Sequence, residues 1–545
     1  MLDTIELSGG RGLPMGRWRI LVLCAVLLVA GLPAGVALAA VGPVIGCPAL
    51  AGIDFTHVPD APSRITSAAT VTTGGHEYCD VHGYISPQTH FEMKLPTSGW
   101  QGSYVQEGCG GLCGAVLPVD QPFAAIGCAP VANGELVLAA DDSGHTGKDL
   151  FDGLWAKDDF ALRVVFGLTS EHSLAQLAKA VIQRYYGVPP AHSYFDGCST
   201  GGRQGLILAQ RYPADFDGIL AGAPVGNLAP LGGMLQPWLI RQNTGPGGVQ
   251  VLGSEKLPAL HAAVIARCGD SNGIIADPRR CDFDPAAIRC AAGTDGPACL
   301  TPAQVTAVRA FYRGPTNPAG RSLYNGGITY GSELGWDGGF VAPVADPAAP
   351  GDTFAAVIAL NFLKYLAYAH NPPDDFTLAD VKFTTHEFNR LNHLGDAIYN
   401  ANDPGLSEFR DHGGKLILYH GWADPTVPPW STTDYYAAVE KTMGGFAASQ
   451  GFSRLYLIPG AYHCLIGPDI GAPTELVAVD LLTPLMAWVE HGVAPGAVAA
   501  PIVPLGGPGQ VVPQTVQPHD ALAPVQPAPG SLNSGYDYIG HYRLR

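Results

Sequence analysis

Ser199 lies in Gly197-Cys198-Ser199-Thr200-Gly201, and far downstream His463 is followed directly by Cys464, so each of two reactive residues has a cysteine as neighbour. A disulfide between Cys198 and Cys464 would tie these distant segments together and rule out any fold that holds them apart. A Gly-x-Ser-x-Gly stretch between a strand and a helix is a strained turn that lifts a serine hydroxyl above a sheet. The flanks read that way. Ser193-Tyr194-Phe195 is a short strand, Gly202 to Tyr212 is an amphipathic helix, and Phe216 to Pro224 is an apolar run ending in a turn. Ser271 matches the same spacing in Gly269-Asp270-Ser271-Asn272-Gly273, but has no strand before it and no helical pattern after it. The covalent tie would matter chemically, because a misplacement of about 1 Å at a reacting centre can cost roughly 10²-fold in rate.

A nucleophile on such a turn needs a base and an acid, which an α/β-hydrolase delivers in the chain order Ser, Asp or Glu, His. Lys415 to His420 is a β-rich run ending at Gly421-Trp422-Ala423-Asp424-Pro425, which puts Asp424 in a loop just past a strand. Arg454 to Ile458 is the next strand, and Pro459 to Cys464 is the loop after it, carrying His463. Both residues fall where strand ends converge, the usual place for a site in an open α/β sheet. Ser199 is therefore read as nucleophile, His463 as base and Asp424 as the acid that orients it. Singly, Asp424 is a turn residue before Pro425 and His463 a loop histidine; jointly they read as a triad.

These residues resemble the pattern of the tannase and feruloyl esterase family: a Cys-Ser pair, an Asp and a His-Cys pair. The resemblance is carried by Tyr194 to Arg203, by Gly421-Trp422-Ala423-Asp424, and by Pro459-Gly460 with His463-Cys464. It also takes in Asp142-Ser143-Gly144-His145 and Arg211 through Pro224, and runs from about Cys47 to roughly Gly492. It implies an α/β-hydrolase fold with a large inserted lid domain, and activity on small aromatic esters of phenolic acids without a catalytic cofactor. The domain reading is residues 1–39 leader, 40–227 first hydrolase part, 228–404 lid, 405–495 second hydrolase part and 496–545 a Pro- and Gly-rich tail. The resemblance pairs Cys198 with Cys464, Cys47 with Cys79, Cys268 with Cys281, and Cys290 with Cys299. Cys109, Cys113 and Cys128 remain, and their pairing stays open.

The oxyanion formed at Ser199 requires two N–H donors, one of them the backbone N–H of Thr200. The stretch Glu107 to Gly114 resembles the family's glycine-rich oxyanion loop and nominates Gly110 as the second; the alternative is a plain tight turn. Its two cysteines depart from the family pattern. Asp270, Asn272 and the Ile274 carbonyl resemble a shortened structural calcium loop, with a disulfide-closed turn as the alternative. Trp336, in Glu333-Leu334-Gly335-Trp336, lies in a stretch similar to a family lid motif, but a tryptophan there is more often core than ligand contact.

Composition points to export. Arg11, Arg17 and Arg19 precede an apolar run from Ile20 to about Leu38, and Ala37-Leu38-Ala39 offers a small-residue cleavage site, so this reads as a signal peptide rather than a membrane anchor. Of twelve cysteines, one (Cys24) falls in this leader, and the remainder suit an oxidising compartment. A formal net charge of −17 argues against nucleic acid and anionic membranes as partners, since both demand clustered cations. The reading is a secreted serine carboxylesterase. Its alternatives are a binding protein that has kept the fold without catalysis and a peptidase on the same fold.

Overall fold

The computed structural model describes residues 40–540 apart from 118, 120, 343–349, 469–472, 506–508 and 521–538. The leader read over 1–39 lies outside the described residues. Nine strands form one mixed sheet: β1 (Ser63–Thr73), β2 (His76–Ile85), β3 (Thr89–Pro96), β4 (Ser103–Glu107), β5 (Val137–Asp141), β6 (His192–Cys198), β7 (Gly218–Gly222), β8 (Lys415–Gly421) and β9 (Ser453–Ile458). Their order across the sheet is β1-β2-β3-β5-β4-β6-β7-β8-β9. β1 to β3 form an antiparallel meander joined to β5, and β5 through β9 in that order are parallel.

The local sequence accounts for both halves. β1 turns into β2 through Gly74-Gly75, both with positive φ (60° and 87°), as a tight two-residue hairpin requires. β6, β7 and β8 are buried almost throughout because both faces of a parallel sheet are covered. Alternate residues divide between the faces. Phe195, Ile219, Leu416 and Leu455 join a core with helices Ser170–Tyr186, Thr200–Arg211 and Trp430–Thr442. Tyr194, Leu220, Ile417 and Tyr456 face a second core with helix Leu482–His491.

Between β7 and β8 the chain adds no strand to this sheet among the described residues. It folds into helices, among them Leu257–Cys268, Pro302–Arg313, Phe354–Tyr365 and Thr385–Leu394, around a third core that includes Leu239, Phe311, Trp336 and Phe362. Helix Pro302–Arg313 starts on a capping box between Thr301 and Gln304 with proline in its first turn. Trp336 is fully buried, its indole N–H donating to Ser332 Oγ at 3.0 Å, so it is core. The Pro- and Gly-rich tail contributes three short strands: Ile502–Pro504 pairs with Glu475–Val477, and Thr515–Val516 pairs with Val498–Ala499. They bury Ile502 and Val516 against the second core.

Where β5 ends, Asp141 lies close to Glu171 of helix Ser170–Tyr186, both buried. Burial raises the Glu171 carboxyl to about 7, partly opposed by a hydrogen bond from Gln106 Nε2 at 2.6 Å, and burial likewise pushes Asp141 well above the carboxylate range. The folded chain thus holds a proton that the unfolded chain gives up at an ordinary carboxyl pKa. The Glu171 contribution to stability is complete at low pH and is lost as pH rises between about 4.5 and 7, by at most ~1.4 kcal/mol per pH unit for that one group. Urea midpoints measured at pH 5 and pH 7.5 are expected to show this fall, and Glu171→Gln to make it shallower; an unchanged slope in the variant would show that the pair does not carry it.

Candidate active site

The parallel strands all point their C-terminal ends toward one edge. Ser199 follows β6, Asp424 follows β8 and His463 follows β9. Ser199 is held at φ 63° and ψ −117°, a conformation strained for any residue with a side chain. The turn is fixed from both sides: the Ser199 N–H donates to the Gly222 carbonyl at 2.9 Å, and its own carbonyl accepts from Arg203 at 3.0 Å and Val225 at 3.1 Å. A Cβ on Gly202 would stand 2.3 Å from the Gly222 oxygen, so only glycine lets the helix start this close to β7. Ser199 is half-buried, which leaves its hydroxyl reachable.

Cys198 and Cys464 are bonded, with Cα atoms 5.7 Å apart across a sequence separation of 266. Ser199 and His463 are each one residue from this bridge, so it brings the two loops together. His463 is buried and its Nδ1 stands 2.6 Å from Asp424 Oδ2. Asp424 is completely buried and collects four donors: the Thr426 and Val427 amides at 2.8 and 2.9 Å on Oδ1, and His463 and His420 Nε2, the latter at 3.2 Å, on Oδ2. Burial alone would raise its pKa; the attraction to His463 in its protonated form and the hydrogen bonds from His420 and His463 outweigh it and hold the carboxyl well below its usual range. An ionised carboxylate can only accept, so the proton between Asp424 and His463 sits on Nδ1, and Nε2 is left as the basic nitrogen.

His420 was visible in the sequence only as the end of a strand run. Its Nε2 also reaches the Val427 carbonyl at 2.7 Å and its Nδ1 reaches Thr432 Oγ1 at 2.8 Å. A carbonyl cannot donate, so Nε2 bears a hydrogen. This ring shares Asp424 Oδ2 with His463 and helps to orient the carboxylate. The sequence signal for it is a polar residue at the C-terminal end of an otherwise apolar strand.

The glycine-rich loop lies against the start of the Ser199 helix. Ser199 does not cap that helix with its side chain, and first-turn amides have no partner inside a helix, so the Thr200 N–H is left for a ligand. The Thr200 hydroxyl donates to the Gly111 carbonyl at 2.6 Å, pinning the peptide beside Gly110. Gln204, one turn on, accepts from the Cys109 N–H at 3.0 Å and donates to Ser143 Oγ at 3.0 Å. His145 is stacked on Trp155 and holds the Leu112 carbonyl with Nε2 at 2.9 Å; burial pushes its pKa down to about 4, so it stays neutral. Cys109 and Cys113 are bonded to each other and Cys128 is free and buried. Cys47–Cys79, Cys268–Cys281 and Cys290–Cys299 are also bonded.

The donors suggested for calcium do not fit that ion. Asp270 Oδ1 accepts the amides of Asn272 at 2.8 Å and Ile274 at 3.0 Å, while the Ile274 carbonyl accepts from the Asp270 N–H at 2.9 Å. Asp270 is the only carboxylate of the three, against the six to eight oxygens calcium takes. Among the described residues no group of three or more His, Cys, Asp or Glu could hold a metal. The segment is a turn closed by its own hydrogen bonds and by Cys268–Cys281.

A cavity of about 270 Å³ opens onto His463, lined on the sheet side by Pro425 and Thr426 and on the inserted side by Phe354, Asp337 and Asp352, with Phe151 between. Phe151 and Phe354 meet edge to face with centroids 5.1 Å apart.

A strained serine after β6, an aspartate after β8 and a histidine after β9, converging on one edge of a mixed sheet, define a protein of the α/β-hydrolase class. Residues 70–510 match the model of the family described as tannase and feruloyl esterase. The chain belongs to that family and is a carboxylic ester hydrolase. It is 30% identical over 505 residues to the mono(2-hydroxyethyl) terephthalate hydrolase of Piscinibacter sakaiensis, covering 81% of this chain and 80% of that protein. It is 30% identical over 426 residues to feruloyl esterase B of Aspergillus niger, covering 74% and 75%. The crystal structure of feruloyl esterase B from Aspergillus oryzae shares the fold with a TM-score of 0.71 at 24% identity, covering 87% of this chain and 95% of that one.

If the Thr200 hydroxyl positions the oxyanion loop, Thr200→Val is expected to lower kcat about tenfold with KM nearly unchanged, while Thr200→Ser retains activity. Steady-state kinetics on one ester checks this; equal kcat in the Val and Ser variants would remove the hydroxyl from that role.

Proposed function

We propose that this chain hydrolyses esters of phenolic acids through an acyl-Ser199 intermediate, with His463 as base, Asp424 as its orienting acid, and the Thr200 and Gly110 N–H groups as oxyanion donors. The observation that carries the reading is the 2.6 Å contact of His463 with the Asp424 carboxylate, beside a disulfide that joins the serine and histidine loops. His463 Nε2 takes the proton of the Ser199 hydroxyl as the oxygen attacks the ester carbonyl. The imidazolium is stabilised by Asp424 and returns the proton to the departing alcohol. Water then attacks the acyl-serine by the same route. Removing one oxyanion donor from such a site typically costs about 10²–10³ in kcat.

The helical insertion after β7 serves as the lid, supplying the aromatic wall of the cavity beside His463. Family members in the comparison act on feruloyl and terephthaloyl esters by name, which supports an aromatic acyl group here. We read the protein as exported: five disulfides suit an oxidising compartment, and among the described residues no helix is long and apolar enough to cross a membrane.

Methyl gallate, methyl ferulate, chlorogenate and a simple acetate ester, tested with the protein beside Ser199→Ala, check the assignment. Turnover of at least one aromatic ester is expected, abolished in the variant. Turnover confined to the acetate ester, or equal in the variant, would refute it.

A further inference from the structure

Most backbone amides of the loop from Gly108 to Gly114 are already used by the fold. Gly108 donates to the Asp196 carbonyl at 2.9 Å, Leu112 to Leu150 at 2.6 Å, Cys113 to Gly110 at 2.9 Å and Gly114 to Asp142 at 3.2 Å. The Cys109 amide goes to a side chain instead, Gln204 Oε1, at 3.0 Å. Among the described residues, the amides of Gly110 and Gly111 are the ones in this loop that donate to no protein group. A Cβ on Gly111 would stand 2.2 Å from the Leu150 oxygen, whereas one on Gly110 would meet nothing within 4 Å, so the loop is open at Gly110.

Gln204 is buried and lies one helical turn beyond Thr200. A backbone N–H needs an acceptor, so the amide oxygen of Gln204 faces Cys109 and its Nε2 donates to Ser143 Oγ at 3.0 Å. Ser143 is steadied in turn, its own N–H donating to Asp141 Oδ1 at 2.9 Å. On the other side of Gly110, the Thr200 hydroxyl holds the Gly111 carbonyl. The Cys109–Cys113 bond and the Cys113-to-Gly110 hydrogen bond close the loop on itself, so its peptides shift together. Two side chains of the nucleophile's own helix therefore bracket Gly110. Cys109 is buried, so its amide could not turn to water if Gln204 were absent; unpaired, it would draw the loop toward another acceptor. Resting on the reading of Gly110 and Thr200 as oxyanion donors, we infer that Gln204 is a positioning residue for the reaction: it occupies the Cys109 amide and fixes the Gly110 peptide relative to Ser199. It acts through the loop, not on the ester. A donor held in place for the charge that develops in the transition state affects kcat rather than KM.

The test compares kcat, KM, melting temperature and the rate of inactivation by a serine-directed phosphonate in Gln204→Met, Gln204→Glu and Ser143→Ala, using one ester that the protein hydrolyses. Gln204→Met keeps the length of the side chain and deletes the acceptor. It is expected to lower kcat at least about tenfold with KM within about twofold, and to slow inactivation in parallel. Gln204→Glu returns an oxygen to the Cys109 N–H and should recover most of kcat. Ser143→Ala, which releases Gln204 Nε2, should lower kcat about threefold at unchanged KM, and it carries the test if Gln204→Met does not fold. Wild-type kcat in Gln204→Met and Ser143→Ala, or equal losses in Gln204→Met and Gln204→Glu, would overturn the inference and leave the oxyanion reading standing. Gly110→Pro, which deletes the N–H itself, tests that reading: a folded variant is expected to lose kcat, and one that turns over the ester at the wild-type rate would remove Gly110 as a donor and this inference with it.

Discussion

The Cys198–Cys464 bridge is the constraint on which the rest of the site depends. It joins the end of β6 to the loop after β9, two strands separated in the sheet by β7 and β8. In the chain-entropy account, closing a loop of 266 residues removes roughly 5 kcal/mol of freedom from the unfolded chain, a ceiling that the shorter disulfides within it reduce. Its local consequence is more specific. Ser199 and Cys464 both adopt positive φ. The bond across the gap holds both turns in register, so the positions of Ser199 and His463, the proposed nucleophile and base, are set by one covalent link as well as by packing.

Electrostatics around the acid follow from the same architecture. Asp424 and Glu171 are both buried carboxyls, yet they are driven in opposite directions. Asp424 sits where a turn supplies two amides and two histidines converge, and those donors overcome desolvation. Glu171 has a glutamine and another buried acid, and desolvation wins. The difference lies in the count and kind of donors, not in depth. It explains why Asp424 stays charged to orient His463 and why the Asp141–Glu171 pair retains a proton. His420 completes the acid's environment as a second imidazole donor, fixed by the Val427 carbonyl and Thr432 hydroxyl.

Much of this was legible in the residues because local patterns carry it. Gly197 to Gly201 between a strand and a helix, and the loops after two further strands, indicate where Ser199, Asp424 and His463 converge. What escaped the sequence depends on contacts between distant segments. His420 looks like any strand-terminal histidine until the Val427 carbonyl and Thr432 hydroxyl are placed around it. Gln204 lies on a helix whose pattern says only which side is buried, not that its amide spans Cys109 and Ser143. The Cys109–Cys113 bond could not be chosen from three unassigned cysteines. The Asp270 segment shows the converse: spacing that suggests a calcium loop closes instead on its own amides, because an aspartate two residues before an available N–H forms a turn without an ion. The tail's short strands were hidden by its proline and glycine content, which conceals pairing only two or three residues long.

The most direct test of the account is to label the protein with a serine-directed phosphonate, digest it without reduction and map the peptides by mass. One label per chain is predicted, on Ser199, in a fragment that remains joined to the His463 segment through Cys198–Cys464 and separates from it on reduction. A label on another serine, or a Ser199 fragment that travels without the His463 segment before reduction, would contradict the claim that one disulfide holds nucleophile and base together.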